Sequence, residues 1–285
     1  MSEPVPAPGS AELPSLYGGA GERRLTIRDL AAAKQRGERW PMLTAYDTFA
    51  ASIFDRAGIP VLLIGDSAAN VVLGHDTTVP ITVDELLPMV RAVVRSTRRA
   101  LVVADLPFGS YEASAEQALQ TAVRFLKEGG AQAVKLEGGQ RVLPQVEALV
   151  NAGIPVMGHL GLTPQSVNAF GGYRVQGRGE AGERLLRDAK ALEHAGAFAV
   201  VLEVVPADLA ERVTGTVSIP TIGIGAGAAT DAQVLVWQDL MGLNERPPRF
   251  VQPYADLRTV MTDAVRAWAG DVVSGAFPDA AHSYE

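Results

Sequence analysis

Residues 100–105 read ALVVAD and residues 133–137 read AVKLE. Each is a short apolar run that ends on an acid, with little alternation between polar and apolar positions. Continuous runs of this kind suit strands covered on both faces, the usual condition of a parallel sheet. The reading extends outward in both directions. PMLTAYD (41–47) and PVLLIGD (60–66) come before, and PVMGHLG (155–161), FAVVLE (198–203), PTIGIGAG (220–227) and VLVWQD (234–239) come after. Between most of these eight runs lie amphipathic helical patterns, over 48–58, 83–96, 114–130, 141–153, 182–195 and 207–215. Four of them lead into Ala57-Gly58, Gly129-Gly130, Ala152-Gly153 and Ala195-Gly196, where a glycine can end a helix before the next strand starts. Strand–helix alternation repeated eight times over about 200 residues is the pattern of a (βα)8 barrel. A doubly wound open sheet shares the periodicity and differs in closure.

The flanks are of another kind. Residues 1–22 are rich in Pro, Gly, Ala and Ser, hold no lasting period, and read as a disordered arm. Order is expected from residue 23 onward as a single barrel domain, 23–285, with a short helix near Asp29–Gly37 placed to plug the barrel floor. After the eighth run, 256–277 reads as one or two helices, with Leu257, Val260, Ala264, Val265 and Trp268 at helical spacing. That apolar face asks for a barrel wall or a neighbouring subunit.

Composition narrows the function classes. The chain has 285 residues, 47% hydrophobic and 20% charged, enough for a sizeable core. A net charge of −7 with scattered basic residues gives no nucleic-acid footprint. No cysteine is present, so disulfides, thiolate metal sites and a Cys nucleophile are excluded. The chain shows no signal peptide and no apolar stretch of membrane-spanning length, so a cytoplasmic protein with no membrane partner is expected.

The chemistry is expected at the strand ends. Asp66, Asp105, Glu137 and Glu203 each close an apolar run. In a barrel those ends converge on one face, where carboxylates would repel one another unless a cation joined them. An oxygen-rich set of this kind suits Mg²⁺, and no pair of histidines at ligand spacing offers a rival zinc site. The competing reading makes each acid a helix cap or an ion-pair partner. Lys135 and Glu137, two apart on one strand, share a face. A lysine there needs a substrate carboxylate, a metal-bound carboxylate or a structural ion-pair partner. His159 lies at another strand end, while His75, His194 and His282 receive no role. GIGAG (223–227) does not fit a dinucleotide fingerprint, which should open the first βα unit. FGGYRVQGRG (170–179) reads either as a loop over the barrel mouth carrying Tyr173, Arg174 and Arg178, or as a plain surface loop.

The stretches LTAYD, GDSAANVVLGHDTTVPIT, ADLPFGSY, AVKLEGG, MGHLGLTPQSVNAFGGYRVQGRG, LEVVP, IPTIGIGAG and VLVWQD together resemble the ketopantoate hydroxymethyltransferase family, in its order, over about residues 25–282. The arm lies outside the resemblance, and Tyr284 followed by Glu285 stands where the family usually has Phe. The resemblance implies a (βα)8 TIM barrel of the phosphoenolpyruvate/pyruvate superfamily type and the first committed step towards pantothenate. It implies a hydroxymethyl transfer from 5,10-methylenetetrahydrofolate to 3-methyl-2-oxobutanoate, giving 2-dehydropantoate and tetrahydrofolate through a metal-stabilised enolate. It implies Mg²⁺ held at Asp66, Asp105 and Glu137, and an oxo acid contacted by Asp66, Ser67, Asp105 and Lys135. Glu203 then matches the catalytic base, where partial desolvation would make it a better base near neutral pH, and His159 lines the product site. Large homo-oligomers, commonly decamers, are also implied. The acid cluster alone would equally serve another metal-dependent enolate lyase or a class II aldolase acting on a small 2-oxo acid.

Overall fold

The computed structural model describes Leu16 and residues 23–284. The expected disordered arm, residues 1–22, lies outside the described residues apart from Leu16. Eight parallel strands close into a barrel in sequence order. They are β1 (Trp40–Thr44), β2 (Val61–Ile64), β3 (Leu101–Asp105), β4 (Ala133–Glu137), β5 (Val156–Gly161), β6 (Ala199–Glu203), β7 (Thr221–Ile224) and β8 (Ala232–Leu235). Closure excludes the open doubly wound sheet.

The helices fall where the patterns put them. α1 (Ile27–Gln35) precedes β1, and α2 (Thr48–Arg56), α3 (Ala68–Val71), α4 (Val83–Ser96), α5 (Ala115–Arg124), α6 (Leu143–Asn151), α7 (Val167–Phe170), α8 (Glu180–His194) and α9 (Ala207–Thr216) follow. Their starts are set by side chains that take orphan backbone N–H groups. Asp47 Oδ1 accepts from Phe49 N at 2.8 Å and Ala50 N at 2.9 Å. Thr82 and Glu85 form a reciprocal capping box at the head of α4. The glycines read as helix stops do that work: Gly58, Gly130, Gly153 and Gly196 take φ of +87°, +82°, +82° and +93°. Only glycine adopts such angles without strain.

The barrel floor is an apolar plug. Leu25, Leu30 and Ala33, from α1 and the segment before it, are buried in one cluster with Met42, Val61, Leu63, Leu101, Val103, Ala133, Met157 and Val201. Leu16 joins the same cluster, 3% exposed. Asp55, at the end of α2, accepts backbone N–H groups of Arg98 at 2.8 Å, Arg99 at 3.1 Å and Ala100 at 2.7 Å, tying that helix to the entry of β3.

The eighth strand departs from the sequence reading. It spans Ala232–Leu235, and Trp237–Leu240 turns into a short helix, α10. Exposed Gln233 interrupts buried Ala232 and Val234, so this strand alternates instead of running continuously apolar. The apolar-run criterion therefore slid to the residues after it.

The chain divides into two compact units, Met1–Val234 and Leu235–Glu285. The second holds α10 and a long helix, α11 (Leu257–Ser274), capped by Asp256, whose Oδ1 accepts from Thr259 N at 3.1 Å. No residue of α11 is buried, and Val260, Met261, Val265 and Trp268 all face solvent. Among the described residues no helix is long and apolar enough to cross a membrane.

Candidate active site

Strand pleating carries the floor residues and the site residues on one face. Leu101 and Val103 point into the barrel, and two residues on so does Asp105; Ala133 is followed by Lys135 and Glu137, Met157 by His159, and Val201 by Glu203. The parallel register places Asp105 beside Lys135, Glu137 beside His159, and Gly161 beside Glu203. Asp66 follows β2 after Gly65, and its backbone N–H donates to Asp105 Oδ2 at 3.3 Å. The candidates from five strand ends thus reach one mouth.

Their charges interlock. Lys135 Nζ lies 2.8 and 2.6 Å from the two Asp105 oxygens and 4.0 Å from Glu137 Oε1. Three carboxylates around one ammonium leave excess negative charge in a buried place, and protons are held more tightly there. Burial, with Asp66 and Glu137 adding to it, pushes the Asp105 carboxyl up to about 7 against the pull of Lys135. Burial likewise raises Glu137, despite His159. Burial opposes the Lys135 charge, but Asp105, Glu137 and Asp66 outweigh it and hold the ammonium above its ordinary value.

His159 bridges to the last acid. Its Nδ1 is 3.4 Å from Glu137 Oε1 and its Nε2 is 3.2 Å from Glu203 Oε2. Burial and Lys135 work against its charge, yet the two carboxylates push the imidazole up to about 9. Both approaches are close enough for ion pairing but out of line for hydrogen bonds, so Glu137 Oε1 and both ring nitrogens are buried without a hydrogen-bond partner. The Glu203 side chain is 17% exposed, against 0% for Glu137, so it can meet a molecule entering from the mouth. Ser67 is tied to the wall by its Oγ, 2.7 Å from the Tyr46 hydroxyl.

The backbone around Glu203 is unusual. Val204 takes φ of +47°, a left-handed angle that a β-branched residue rarely adopts. Hydrogen bonds hold it: Val204 N donates to Ile224 O at 2.8 Å, and Val204 O accepts from Gln176 N at 3.0 Å. Gly161 is required opposite, since a Cβ there would lie 2.3 Å from Glu203 O. Gln176 belongs to the 170–179 loop, for which the sequence left open a cover over the mouth or a plain surface loop. Tyr173 in the same loop is 57% exposed, but burial and the charges of Asp66, Glu203 and Glu137 raise its hydroxyl, so the loop lies within reach of the cluster.

Two residues were missed by the sequence reading. Gln165, in the turn Pro164–Ser166, donates its backbone N–H to Glu137 Oε2 at 3.0 Å and its side-chain Nε2 to Asp66 Oδ2 at 3.0 Å. Tyr111, in the loop after β3, places its hydroxyl 2.7 Å from Gln165 Oε1.

Among the described residues, no three acidic or histidine side chains converge into a ready-made metal cage. The donors nevertheless fit a hard divalent cation that keeps part of its water shell. All are carboxylate oxygens, and one of them, Glu137 Oε1, is buried and unsatisfied. A cavity of about 410 Å³ lies elsewhere among the loops, lined by Gly138, Arg141, Leu160, Phe170 and Arg184; none of the four acids lines it.

The sequence model of the ketopantoate hydroxymethyltransferase family matches residues 24–280. A 3-methyl-2-oxobutanoate hydroxymethyltransferase of Frankia alni is 68% identical, over 99% of this chain and 95% of its own. The protein of the same name from Thermobifida fusca is 64% identical over the whole of both chains. Among solved structures, a phosphonopyruvate hydrolase superposes with a TM-score of 0.59 at 13% identity, covering 91% of each chain. A 2,3-dimethylmalate lyase, a PEP mutase/isocitrate lyase superfamily member, superposes with 0.55 at 16% identity, covering 87% of this chain and 88% of its own. These two speak to the fold. The sequence matches speak to the family, and the chain belongs to the ketopantoate hydroxymethyltransferases.

Proposed function

We propose that this chain transfers a hydroxymethyl group from 5,10-methylenetetrahydrofolate to 3-methyl-2-oxobutanoate, with water consumed and tetrahydrofolate and 2-dehydropantoate released. The observation that carries the reading is the unbroken line from Asp105 through Lys135, Glu137 and His159 to Glu203 at the barrel mouth. Asp66, Asp105 and Glu137 would hold Mg²⁺, which when bound polarises the ketone of the oxo acid as a Lewis acid.

The chain's own residues do the rest. Lys135, charged and buried, balances the substrate carboxylate and the negative charge that develops on the ketone oxygen. Asp66, Ser67 and Asp105 flank the oxo acid. Glu203 takes the proton from carbon 3, whose acidity is weak because only the adjacent ketone stabilises the resulting enolate. His159, pressed between Glu137 and Glu203, orients the base and meets the product. Carbon 3 then bonds to the one-carbon unit as one folate nitrogen keeps the electron pair of its broken C–N bond. Water supplies the hydroxyl oxygen as the second C–N bond breaks, and the two folate nitrogens take up the proton from carbon 3 and one from water. The exposed apolar face of α11 supports assembly into a homo-oligomer, with a decamer favoured by the family resemblance. A cytoplasmic location fits this soluble-substrate chemistry.

The test is 2-dehydropantoate formation with and without methylenetetrahydrofolate, in added Mg²⁺ and in excess chelator. Product is expected only with folate and metal together. Equal product with free formaldehyde in place of the folate would assign the chain to aldolase chemistry instead. Full activity in chelator would remove the metal from the account.

A further inference from the structure

The acids on β2 and β4 are not neighbours, because β3 stands between them. One residue touches both. Gln165 holds Glu137 Oε2 through its backbone N–H at 3.0 Å and Asp66 Oδ2 through its side-chain amide at 3.0 Å. The second amide hydrogen goes to Leu106 O at 2.9 Å. The amide oxygen lies 2.7 Å from the Tyr111 hydroxyl. That hydroxyl also accepts from Glu137 N at 3.2 Å and lies 3.1 Å from Glu137 O. Gln165 is 5% exposed and Tyr111 1%.

This wiring admits one orientation. Turning the amide over would set its oxygen against two acceptors, Asp66 Oδ2 and Leu106 O. Each acid therefore has one oxygen fixed from behind. The other oxygen of Glu137, Oε1, has no hydrogen-bond partner and is met only by charge, from His159 Nδ1 at 3.4 Å and Lys135 Nζ at 4.0 Å. Ion pairing alone leaves that buried oxygen without a hydrogen bond, a cost that a bound cation would offset. The arrangement uses polar contacts to aim two acids while leaving Glu137 Oε1 without a hydrogen bond.

We propose that Gln165 and Tyr111 are positioning residues that set the orientation of Asp66 and Glu137 for a divalent cation. This rests on the reading of those acids as metal ligands. The strap acts through the ligands and touches neither substrate nor metal. Outer partners of metal ligands commonly govern affinity by roughly 10–100-fold.

The experiment is direct Mn²⁺ binding by electron paramagnetic resonance on the full chain, with no substrate present, beside denaturant unfolding of each variant. Wild type should bind saturably; if it does not, the metal reading itself fails. Gln165→Met keeps the length of the side chain but removes the amide, and should weaken Mn²⁺ binding roughly 10–100-fold in the folded protein. Tyr111→Phe removes one oxygen and keeps the ring, and should weaken binding by a smaller factor. Should Gln165→Met not fold, Tyr111→Phe carries the test. A variant that binds Mn²⁺ within twofold of wild type while unfolding earlier would make the strap merely structural and overturn the proposal.

Discussion

The two ends of the barrel interior use the same pleat for opposite ends. At the floor, Leu101, Ala133, Met157 and Ala199 are buried in one apolar cluster with Leu25, Leu30 and Ala33 of the plug. Four residues further along the same strands stand Asp105, Glu137, Gly161 and Glu203, with Lys135 and His159 one step below. The floor gains stability from apolar surface removed from water. At the mouth, three carboxylates and an ammonium are buried together, an arrangement often no more stable than a well-packed apolar one. Floor and mouth teach that one closed sheet can separate stability from chemistry along its axis, as barrel enzymes generally do.

The sharpest way to break this comparison is at the mouth. Glu203→Gln keeps the size and removes the proton acceptor. Turnover should fall by roughly 10²–10⁴-fold, about 3–5 kcal/mol in the barrier. Folding stability should be unchanged or slightly raised, because the side chain is partly exposed and contributes no floor packing. Deuterium exchange at carbon 3 of 3-methyl-2-oxobutanoate, without folate, isolates the step. If the variant exchanges as fast as wild type, Glu203 is not the base.

The reverse result belongs to the floor. Leu30 is fully buried in the plug, 0% exposed. Leu30→Ala should cost about 2–5 kcal/mol of stability, from lost transfer energy and the cavity left behind. The protein that remains folded should keep the wild-type KM for the oxo acid, because Leu30 sits at the opposite end of the strands from the acids. A changed KM with unchanged unfolding would mean that the two ends are not independent.

Much of both ends was legible in the chain. β3 and β4 ended on Asp105 and Glu137 as read, since a continuous apolar run closed by an acid has few other interpretations in a parallel sheet. α4 spans 83–96 as its helical pattern read, and in the structure a capping box fixes its start. Gln165 and Tyr111 were not legible. One lies in a turn and the other in a loop, and polar or aromatic residues there read as surface until closure of the barrel brings β2, β4 and β5 around them. The positive φ at Val204 gave no signal either, since nothing in a valine advertises a left-handed angle. β8 was misplaced because one exposed glutamine broke its run.

Asp55 gives the smallest of the expected effects, and it tests whether the floor is purely apolar in its energetics. Its carboxylate, 8% exposed, accepts three backbone N–H groups from Arg98, Arg99 and Ala100, just where the chain enters β3. Asp55→Ala would leave those donors buried without their acceptor, a cost of about 1–3 kcal/mol. Asp55→Asn keeps one acceptor oxygen but turns an NH₂ towards the remaining donors, so it should recover only part of the loss. The measurement is denaturant unfolding of both variants beside wild type, with activity per folded molecule followed in parallel. Stability should fall in the order wild type, Asn, Ala, while activity per folded molecule stays level, since the residue lies at the strand entry and the acids lie at the strand ends. Equal stability in all three proteins would show that the loop before β3 is held by its neighbours alone, Arg24 among them through Thr97 O and Ala100 O, each at 2.6 Å.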